Sequence, residues 1–277
     1  MIPRPMTCEG NKYYGHAQVL RNYMGVAEPV PIRGRIQHGW TAGPAIEYDR
    51  LVEANEPVYV WADKWKQYAY HEDGNRPLNQ DRVFSIGAPF LYKPLLSQGR
   101  KKQLVGFPHH GMLDKNVVVE SMRSYAKHIK EMGRGLGLVP LVCLHFRDYK
   151  NVEILAAVST EDVEPVWCGN FGDSMFLDRF ERITSGASLV TSNVVSTAIF
   201  YAAFLGTPVT VSGPMTPTVL VDRDDNLVGN REWISDNYPE LLSVCENPVD
   251  LGKRELGFEH VKSKEELLGL LYGKDEV

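Results

Sequence analysis

The sequence predicts an α/β protein with two halves, of which the second is the more regular. Between residues 102 and 213, short apolar runs alternate with segments of helical periodicity, and the apolar runs end in proline, glycine or polar residues. That alternation indicates a parallel sheet with helices on both faces. The length of 277 residues, with 43% hydrophobic and 23% charged residues, suits one large or two modest globular domains. We therefore predict two Rossmann-like halves, with the N-terminal half reduced.

The predicted first domain covers residues 1–95 and contains three short strands. These are the runs at 35–37, 58–62 and 83–87, RIQ, VYVWA and VFSIG, which are rich in β-branched and aromatic residues and end at turn or glycine signals. Three strands are few for a full doubly wound domain, so we expect this domain to be reduced. The segment PLLSQGRKK at 94–102 predicts the linker that follows.

The predicted second domain covers residues 96–277 and alternates strands with helices. Strands are predicted in KQLVGFP, LVPLVCLHF, VEPVWCG, SLVTSN and PVTVSG. Helices are predicted in VVVESMRSYAKHIKEMGRG, MFLDRFERITSGA, VVSTAIFYAAFLG and the terminal KSKEELLGLLYG, because their apolar residues recur at helical spacing. This pattern predicts an open, Rossmann-like parallel sheet, whose ligands bind beyond the carboxyl ends of the strands.

Charge and cysteine content exclude several classes of protein. A net charge of −5 and a pI near 5.9 argue against a nucleic-acid-binding surface. The four cysteines are scattered without a CxxC pair, which argues against a zinc ribbon and a disulfide scaffold. The N-terminal residues lack a signal-peptide core, and no apolar run approaches the ~20 residues of a membrane span. We expect a cytoplasmic protein. Peripheral attachment to the inner membrane and assembly into a homo-oligomer are both compatible with the sequence.

The strongest candidate binding site lies where the strand SLVT runs into a helix. Ser192 and Asn193 would cap that helix, and Ser196 and Thr197 would lie in its first turn. Free N–H groups, the helix dipole and several hydroxyl groups together predict a phosphate site. The alternative is helix capping alone, worth about 1 kcal/mol.

Two further strand ends carry polar side chains that could contact a phosphate or a ribose. His109 and His110 follow the strand that ends at Pro108. They could instead bind a metal, although adjacent histidines should point apart on an extended chain. His145 and Arg147 leave the next strand, and Arg147 could hold a phosphate in a bidentate manner or form an ion pair with its neighbour.

The segment RIQHGW places a histidine at the carboxyl end of a strand in the first half. His38 is followed by Gly39, which lets another molecule approach the backbone. A histidine with an ordinary pKa near 6.5 suits a general base, although it could equally close a turn as a structural residue. Glu47 and Asp49 follow in the same stretch, and either could be the base or orient His38.

Three of these segments resemble GT-B-type transferases of bacterial surface-polysaccharide assembly, closest in layout to the CDP-glycerol glycerophosphotransferase and capsule-polysaccharide transferase group. IQHGW resembles the segment that carries a catalytic histidine, and SIGAPFLY resembles the segment that closes the N-terminal domain. LVTSNVVSTAIFYAAFLGTPV resembles the serine-rich turn and helix that hold donor phosphates. FPHHG stands where related sialyl- and Kdo-transferases carry a His-Pro motif, here in the order Pro108 then His109.

The resemblance implies a glycosyltransferase that moves a sugar from a nucleotide-activated donor to a hydroxyl of a glycan or lipid-linked acceptor. It implies inversion, no metal and no cofactor besides the donor. The implied base is His38, Glu47 or Asp49, and the implied donor site comprises His109, His110, His145, Arg147, Ser192, Asn193, Ser196 and Thr197. Two other functions stay open, a non-catalytic nucleotide- or glycan-binding subunit and a sugar-nucleotide epimerase or hydrolase of the same fold.

Overall fold

The computed structural model describes residues 9–27, 30–43, 56–68, 80–96, 99–110, 119–214 and 229–273. Within these ranges the chain is an α/β protein with two parallel sheets, which confirms the predicted fold class. The chain divides into two compact units. The described part of the first unit lies within 9–94, 171–177 and 253–273, and that of the second within 95–170 and 178–252.

The eight predicted strands and the four predicted helices are present in the predicted order, and the described residues contain further helices that were not predicted. The strands are β1 (Arg35–Ile36), β2 (Val58–Val60), β3 (Val83–Ser85), β4 (Lys101–Phe107), β5 (Val139–Cys143), β6 (Glu164–Val166), β7 (Ala187–Ser192) and β8 (Val209–Val211). The helices are α1 (His16–Met24), α2 (Val119–Leu136), α3 (Phe146–Tyr149), α4 (Val152–Ser159), α5 (Phe176–Thr184), α6 (Thr197–Phe204), α7 (Arg231–Asn237), α8 (Val249–Leu256) and α9 (Lys264–Leu271). None of the described helices is both long and apolar enough to cross a membrane.

The first unit is built on the parallel sheet β1-β2-β3. Leu20 of α1, Tyr59 of β2 and Leu267 and Leu271 of α9 are fully buried in one hydrophobic cluster. The sequence assigned residues 253–277 to the second domain, but α9 belongs to the first unit because its two leucines complete this cluster.

The second unit is built on a five-stranded parallel sheet in the order β6-β5-β4-β7-β8. In chain order this is 3-2-1-4-5, the doubly wound arrangement in which successive strands are added first to one side and then to the other. Met122 and Ile129 of α2 and Val158 of α4 pack in a cluster with Leu104 and Val142 of the sheet. The alternation of apolar runs and amphipathic helices in the sequence produces this layered unit.

Reversal of the winding direction occurs between β4 and β7, which lie side by side with Phe107 opposite Ser192. In doubly wound sheets, ligands bind outside the carboxyl ends of the strands at such a reversal point. The residues that follow Phe107 and Ser192 therefore stand at the position where this class of sheet binds ligands, which makes them the candidate site.

Candidate functional site

The ends of β4, β7 and β8 are joined by one buried side chain. The backbone N–H of His109 donates to Oδ1 of Asn193 at 2.8 Å, and Nδ2 of Asn193 donates to the carbonyl oxygen of Pro214 at 2.9 Å. Asn193 is 2% exposed, and both of its hydrogen bonds are at least partly buried. The prediction that Asn193 caps α6 is wrong, because its amide is used to fix the strand ends at the reversal point.

Helix α6 begins with a serine whose hydroxyl does not cap it. Ser196 is the N-cap residue, but its side chain accepts no capping hydrogen bond, and its Oγ is buried without a hydrogen-bond partner among the described residues. The N-cap side chains of α4, α7 and α9 do accept such bonds. A buried hydroxyl without a partner is costly, and it suits a ligand that would supply one.

Two of the predicted helix-start residues take other positions. Ser192 was predicted to cap the helix, but it is the last residue of β7, and its Oγ accepts from the N–H of Val194 at 3.3 Å. Ser196 was predicted inside the first turn and is instead the N-cap, while Thr197 is the first helical residue as predicted. The helix starts at Thr197, after the buried Val194 and Val195, and so later than its apolar run.

Three histidines stack beside the same strand ends. The rings of His110 and His145 lie 4.2 Å apart at 16°, and those of His109 and His110 lie 6.0 Å apart at 18°. The expectation that the adjacent pair points apart is wrong, since the rings of His109 and His110 lie nearly parallel. The stack joins the end of β4 to the end of β5.

Burial makes two of these histidines weak bases. Desolvation, followed by the charge of His110, lowers the pKa of His109 to about 4. Desolvation, followed by the charges of His110 and Arg147, lowers the pKa of His145 to about 3. Both rings are therefore neutral at pH 7 and act there as hydrogen-bonding groups rather than cations.

His145 also presents a buried nitrogen toward this region. Its Nδ1 has no hydrogen-bond partner within the described part of the chain. Arg147 follows in the short helix α3, with its guanidinium carbon 5.7 Å from the ring centroid of Phe146. The guanidinium supplies positive charge near His145, because it contributes to the lowered pKa of that residue.

Sequence reasoning missed a hydrogen-bonded group at the end of β8. Nε2 of His128 lies 3.1 Å from Oγ of Ser212, which lies 3.0 Å from Oγ1 of Thr191. Burial lowers the pKa of His128, opposed by Glu131. Ser212 follows a predicted strand and precedes a glycine, a position that could have marked it as a candidate site residue. His128 lies within an amphipathic helix, where the sequence does not distinguish it from its neighbours.

In the first unit, His38 lies just past the carboxyl end of β1, where the sequence placed it. Its ring is partly exposed, and the Tyr13 ring meets it edge-on with the centroids 5.9 Å apart. His16, which is 1% exposed, has its pKa lowered to about 3 by burial and by the charge of His38. The other two candidate bases, Glu47 and Asp49, lie outside the described residues.

Among the residues that the structure describes, no three His, Cys, Asp or Glu side chains gather as a metal-binding set. Cys143 and Cys168 are buried, as the sequence predicted for Cys143, with their sulfur atoms 3.5 Å apart. What remains at the carboxyl edge of the second sheet is a set of uncharged hydrogen-bonding groups, one arginine and a helix start. Such a set can bind an anion through N–H and O–H donors.

Comparison with solved structures finds weak likenesses, and no family model or curated protein matches the chain. A complex of S. aureus TarM with fondaparinux, alpha-GlcNAc-glycerol and UDP has 13% identity over 77% of this chain and 42% of that one, at a TM-score of 0.39. Neisseria meningitidis UDP-GlcNAc 2-epimerase bound to UDP-GlcNAc has 14% identity over 97% of this chain and 83% of that one, at 0.36. Arabidopsis thaliana UGT89C1 has 9% identity over 77% of this chain and 51% of that one, at 0.34.

The chain thus spans about half the length of two of these proteins. TM-scores below 0.5 do not establish a common fold, so the site described above stands on the strand order and side chains of this chain alone.

Proposed function

We propose that this chain is a metal-independent glycosyltransferase that moves a sugar from a nucleotide-activated donor to a glycan hydroxyl, with inversion. In this proposal the second unit, a GT-B-type donor domain, binds the donor, and the first unit carries the base. The biological context proposed is bacterial surface-polysaccharide assembly in the cytoplasm, with a glycan or a lipid-linked glycan as the acceptor.

The observation that carries the proposal is the uncapped start of α6 beside the reversal point of the sheet. The first N–H groups of any helix have no partner inside that helix, and the helix dipole makes this end attractive to an anion. Here the N-cap hydroxyl of Ser196 is buried and unpartnered among the described residues, and Asn193 fixes the adjoining strand ends. A phosphate oxygen would give Ser196 the hydrogen bond that the helix does not.

The surrounding side chains fit the leaving group of a nucleotide-sugar reaction. When the bond from the sugar to the phosphate breaks, negative charge grows on the phosphate oxygens. Preorganised donors at that position accelerate the reaction, because they need no rearrangement when the charge appears. Ser196, Thr197, Arg147 and the imidazole N–H groups of His109 or His145 would supply such donors.

On the acceptor side, His38 would accept the proton of the attacking hydroxyl. A positioned base raises such rates by about 10²–10⁴-fold. His38 is partly exposed but its Nδ1 is buried, so Nε2 would be the nitrogen that accepts the proton. The buried neighbour His16 stays neutral, so it does not compete for the proton at pH 7.

The test is a titration of the purified chain with UDP, GDP, CDP and CMP and their sugar conjugates, followed by turnover assays. Ser196→Ala combined with Thr197→Ala should weaken binding of the nucleotide by about tenfold or more, equivalent to the loss of about 1.4 kcal/mol. His38→Ala should abolish transfer while nucleotide affinity stays within a few-fold. Unchanged nucleotide affinity in the double variant would remove the assignment of the donor site.

Product analysis separates the alternative functions. Consumption of the donor at full rate without any acceptor would show an epimerase or a hydrolase. Binding of a nucleotide without turnover toward any offered glycan would show a non-catalytic binding subunit. The anomeric configuration of the product, read by proton NMR, decides between inversion and retention.

A further inference from the structure

The His38 loop, residues 37–41, is held in place by hydrogen bonds at several positions. The side chain of Gln37 donates from Nε2 to the carbonyl oxygen of Gly39 at 2.9 Å, and its Oε1 accepts from the backbone N–H of Trp61 at 2.9 Å. Nε1 of Trp61 donates to the carbonyl oxygen of Gln37 at 3.0 Å. Nε1 of Trp65 donates to the carbonyl oxygen of Thr41 at 3.1 Å. Two buried indole rings thus fix both ends of the loop.

The centre of the loop is fixed by a carboxylate from a distant part of the chain. Nε1 of Trp40 donates to Oε2 of Glu255 at 2.8 Å. Glu255 belongs to α8 and is 2% exposed, although it is a charged residue. Trp40 follows His38 by two residues and is itself buried, so this bond sets the path of the backbone beside the imidazole.

Two cations compensate the buried charge of Glu255. Lys64 forms an ion pair with Oε2, and Nε of Arg254 lies 3.0 Å from Oε1. Burial alone would raise the pKa of Glu255, but Lys64, Trp40 and Arg254 together lower it below its ordinary value. The residue is therefore a carboxylate at neutral pH.

A buried carboxylate is a poor means of stabilising a fold, because desolvation offsets most of its attraction to neighbouring cations. Apolar residues of similar size would pack the same position at a lower cost. The buried charge of Glu255 is better explained if the carboxylate fixes the geometry of a nearby functional group. The group nearest along the restrained segment is the partly exposed imidazole of His38.

We propose that Glu255 is a positioning residue that acts through Trp40 to hold His38 in the orientation in which it accepts a proton. This rests on the proposed role of His38 as the base. A restraint of this kind contributes to rate through orientation, since small displacements of a reacting group can reduce turnover by about 10²-fold.

The principal test uses Trp40→Phe, which keeps an aromatic ring but removes the N–H donor and part of the ring volume, together with Glu255→Gln, which keeps the size of the side chain and removes its charge. Tyr23→Phe is the matched control, because it removes a hydroxyl that donates to the carbonyl oxygen of Lys262 at 3.3 Å elsewhere in the first unit. The readouts are the imidazole resonances of His38, assigned with His38→Gln, and the rate at which diethyl pyrocarbonate modifies His38, followed by mass spectrometry. Neither readout needs a substrate.

We expect both loop variants to shift the His38 resonances and to change its modification rate by about threefold or more, while Tyr23→Phe changes neither. Where transfer is observed, kcat should fall by about tenfold or more and the donor KM should stay within about twofold. If Glu255→Gln does not fold, the result for Trp40→Phe alone decides whether the contact between Trp40 and Glu255 positions His38.

Wild-type resonances and a wild-type modification rate for His38 in folded Trp40→Phe would overturn the inference. A wild-type protein that transfers no sugar would instead defeat the proposed function, and the spectroscopic result would still decide whether Glu255 positions His38.

Discussion

Oδ1 of Asn193 lies 2.8 Å from the backbone nitrogen of His109, and this hydrogen bond joins the two strands between which the sheet of the second unit reverses direction. The same amide also reaches the carbonyl oxygen of Pro214 after β8. One side chain therefore holds three strand ends at the edge where the candidate phosphate site lies.

Asn193→Ala should destabilise the protein by about 1–3 kcal/mol, because it leaves a partly buried N–H and a carbonyl oxygen without their partner. Urea unfolding followed by far-UV circular dichroism measures the change in free energy. Asn170→Ala, at an exposed asparagine, is the control and should change it by less than about 0.5 kcal/mol. Equal stability of the two variants would contradict the role of Asn193 as a structural clamp.

Ser196→Ala should leave the free energy of unfolding unchanged or slightly increased, because the lost hydroxyl makes no hydrogen bond within the described structure. The matched variant is Ser263→Ala at the start of α9, where a capping box is present, and it should cost about 0.5–2 kcal/mol. Thermal unfolding of both variants provides the comparison. A loss at Ser196 equal to that at Ser263 would show that Ser196 only caps its helix.

Binding of a nucleoside diphosphate should be accompanied by proton uptake at about pH 5. The pKa values of His109 and His145, about 4 and about 3 without ligand, should rise when phosphate charge lies beside the rings. Calorimetry in two buffers with different ionisation enthalpies measures the number of protons taken up. His145→Gln should reduce that number, and identical uptake in this variant would show that His145 does not face the phosphates.

His16 should make stability depend on pH in the acid range. Its pKa in the folded protein, about 3, lies below the ordinary value of 6.5, so the unfolded chain binds the proton first as the pH falls. The resulting stabilisation is complete above pH 6.5 and is lost as the pH falls toward about 3, at up to about 1.4 kcal/mol per pH unit. Denaturant unfolding at several pH values should show a shallower dependence for His16→Gln than for wild type. Parallel curves would place His16 in contact with water.

Gly257→Ala should be strongly destabilising, whereas Gly269→Ala should be neutral or stabilising. Gly257 has φ of +69°, and a Cβ there would overlap the carbonyl oxygen of Trp61. The left-handed conformation alone costs a non-glycine residue about 1–2 kcal/mol. A Cβ at Gly269, inside α9, meets nothing within 4 Å and should gain about 0.5–1 kcal/mol of helix stability. Differential scanning calorimetry of the pair measures the contrast.

The strands and their order along the chain were the most predictable part of this protein. Uninterrupted apolar runs such as the one around Val142 are typical of a parallel sheet covered on both faces, and the structure has this run there. The place of His38 just past β1 was also predictable, because the glycine that follows it interrupts the regular structure.

The use of individual polar residues at the site was not predictable in the same way. Asparagine and serine are both common helix N-cap residues. Only the three-dimensional structure shows that Asn193 bonds to Pro214 instead, and that Ser196 is the N-cap residue of α6 without a capping hydrogen bond from its side chain. The contact of Trp40 with Glu255 spans 215 positions along the chain, and no local pattern signals such a pair.

The chain passes between the two units after residues 94, 170, 177 and 252, and this interlaced path limits how the protein can be divided. A fragment truncated near residue 95 would lack α9, and the apolar surfaces of Leu20 and Tyr59 would be left facing water. It would also lack Glu255, so the loop around His38 would lose the partner of Trp40. Producing the first unit on its own therefore requires a fusion protein in which the segment from residue 253 onward is linked to residues 1–94.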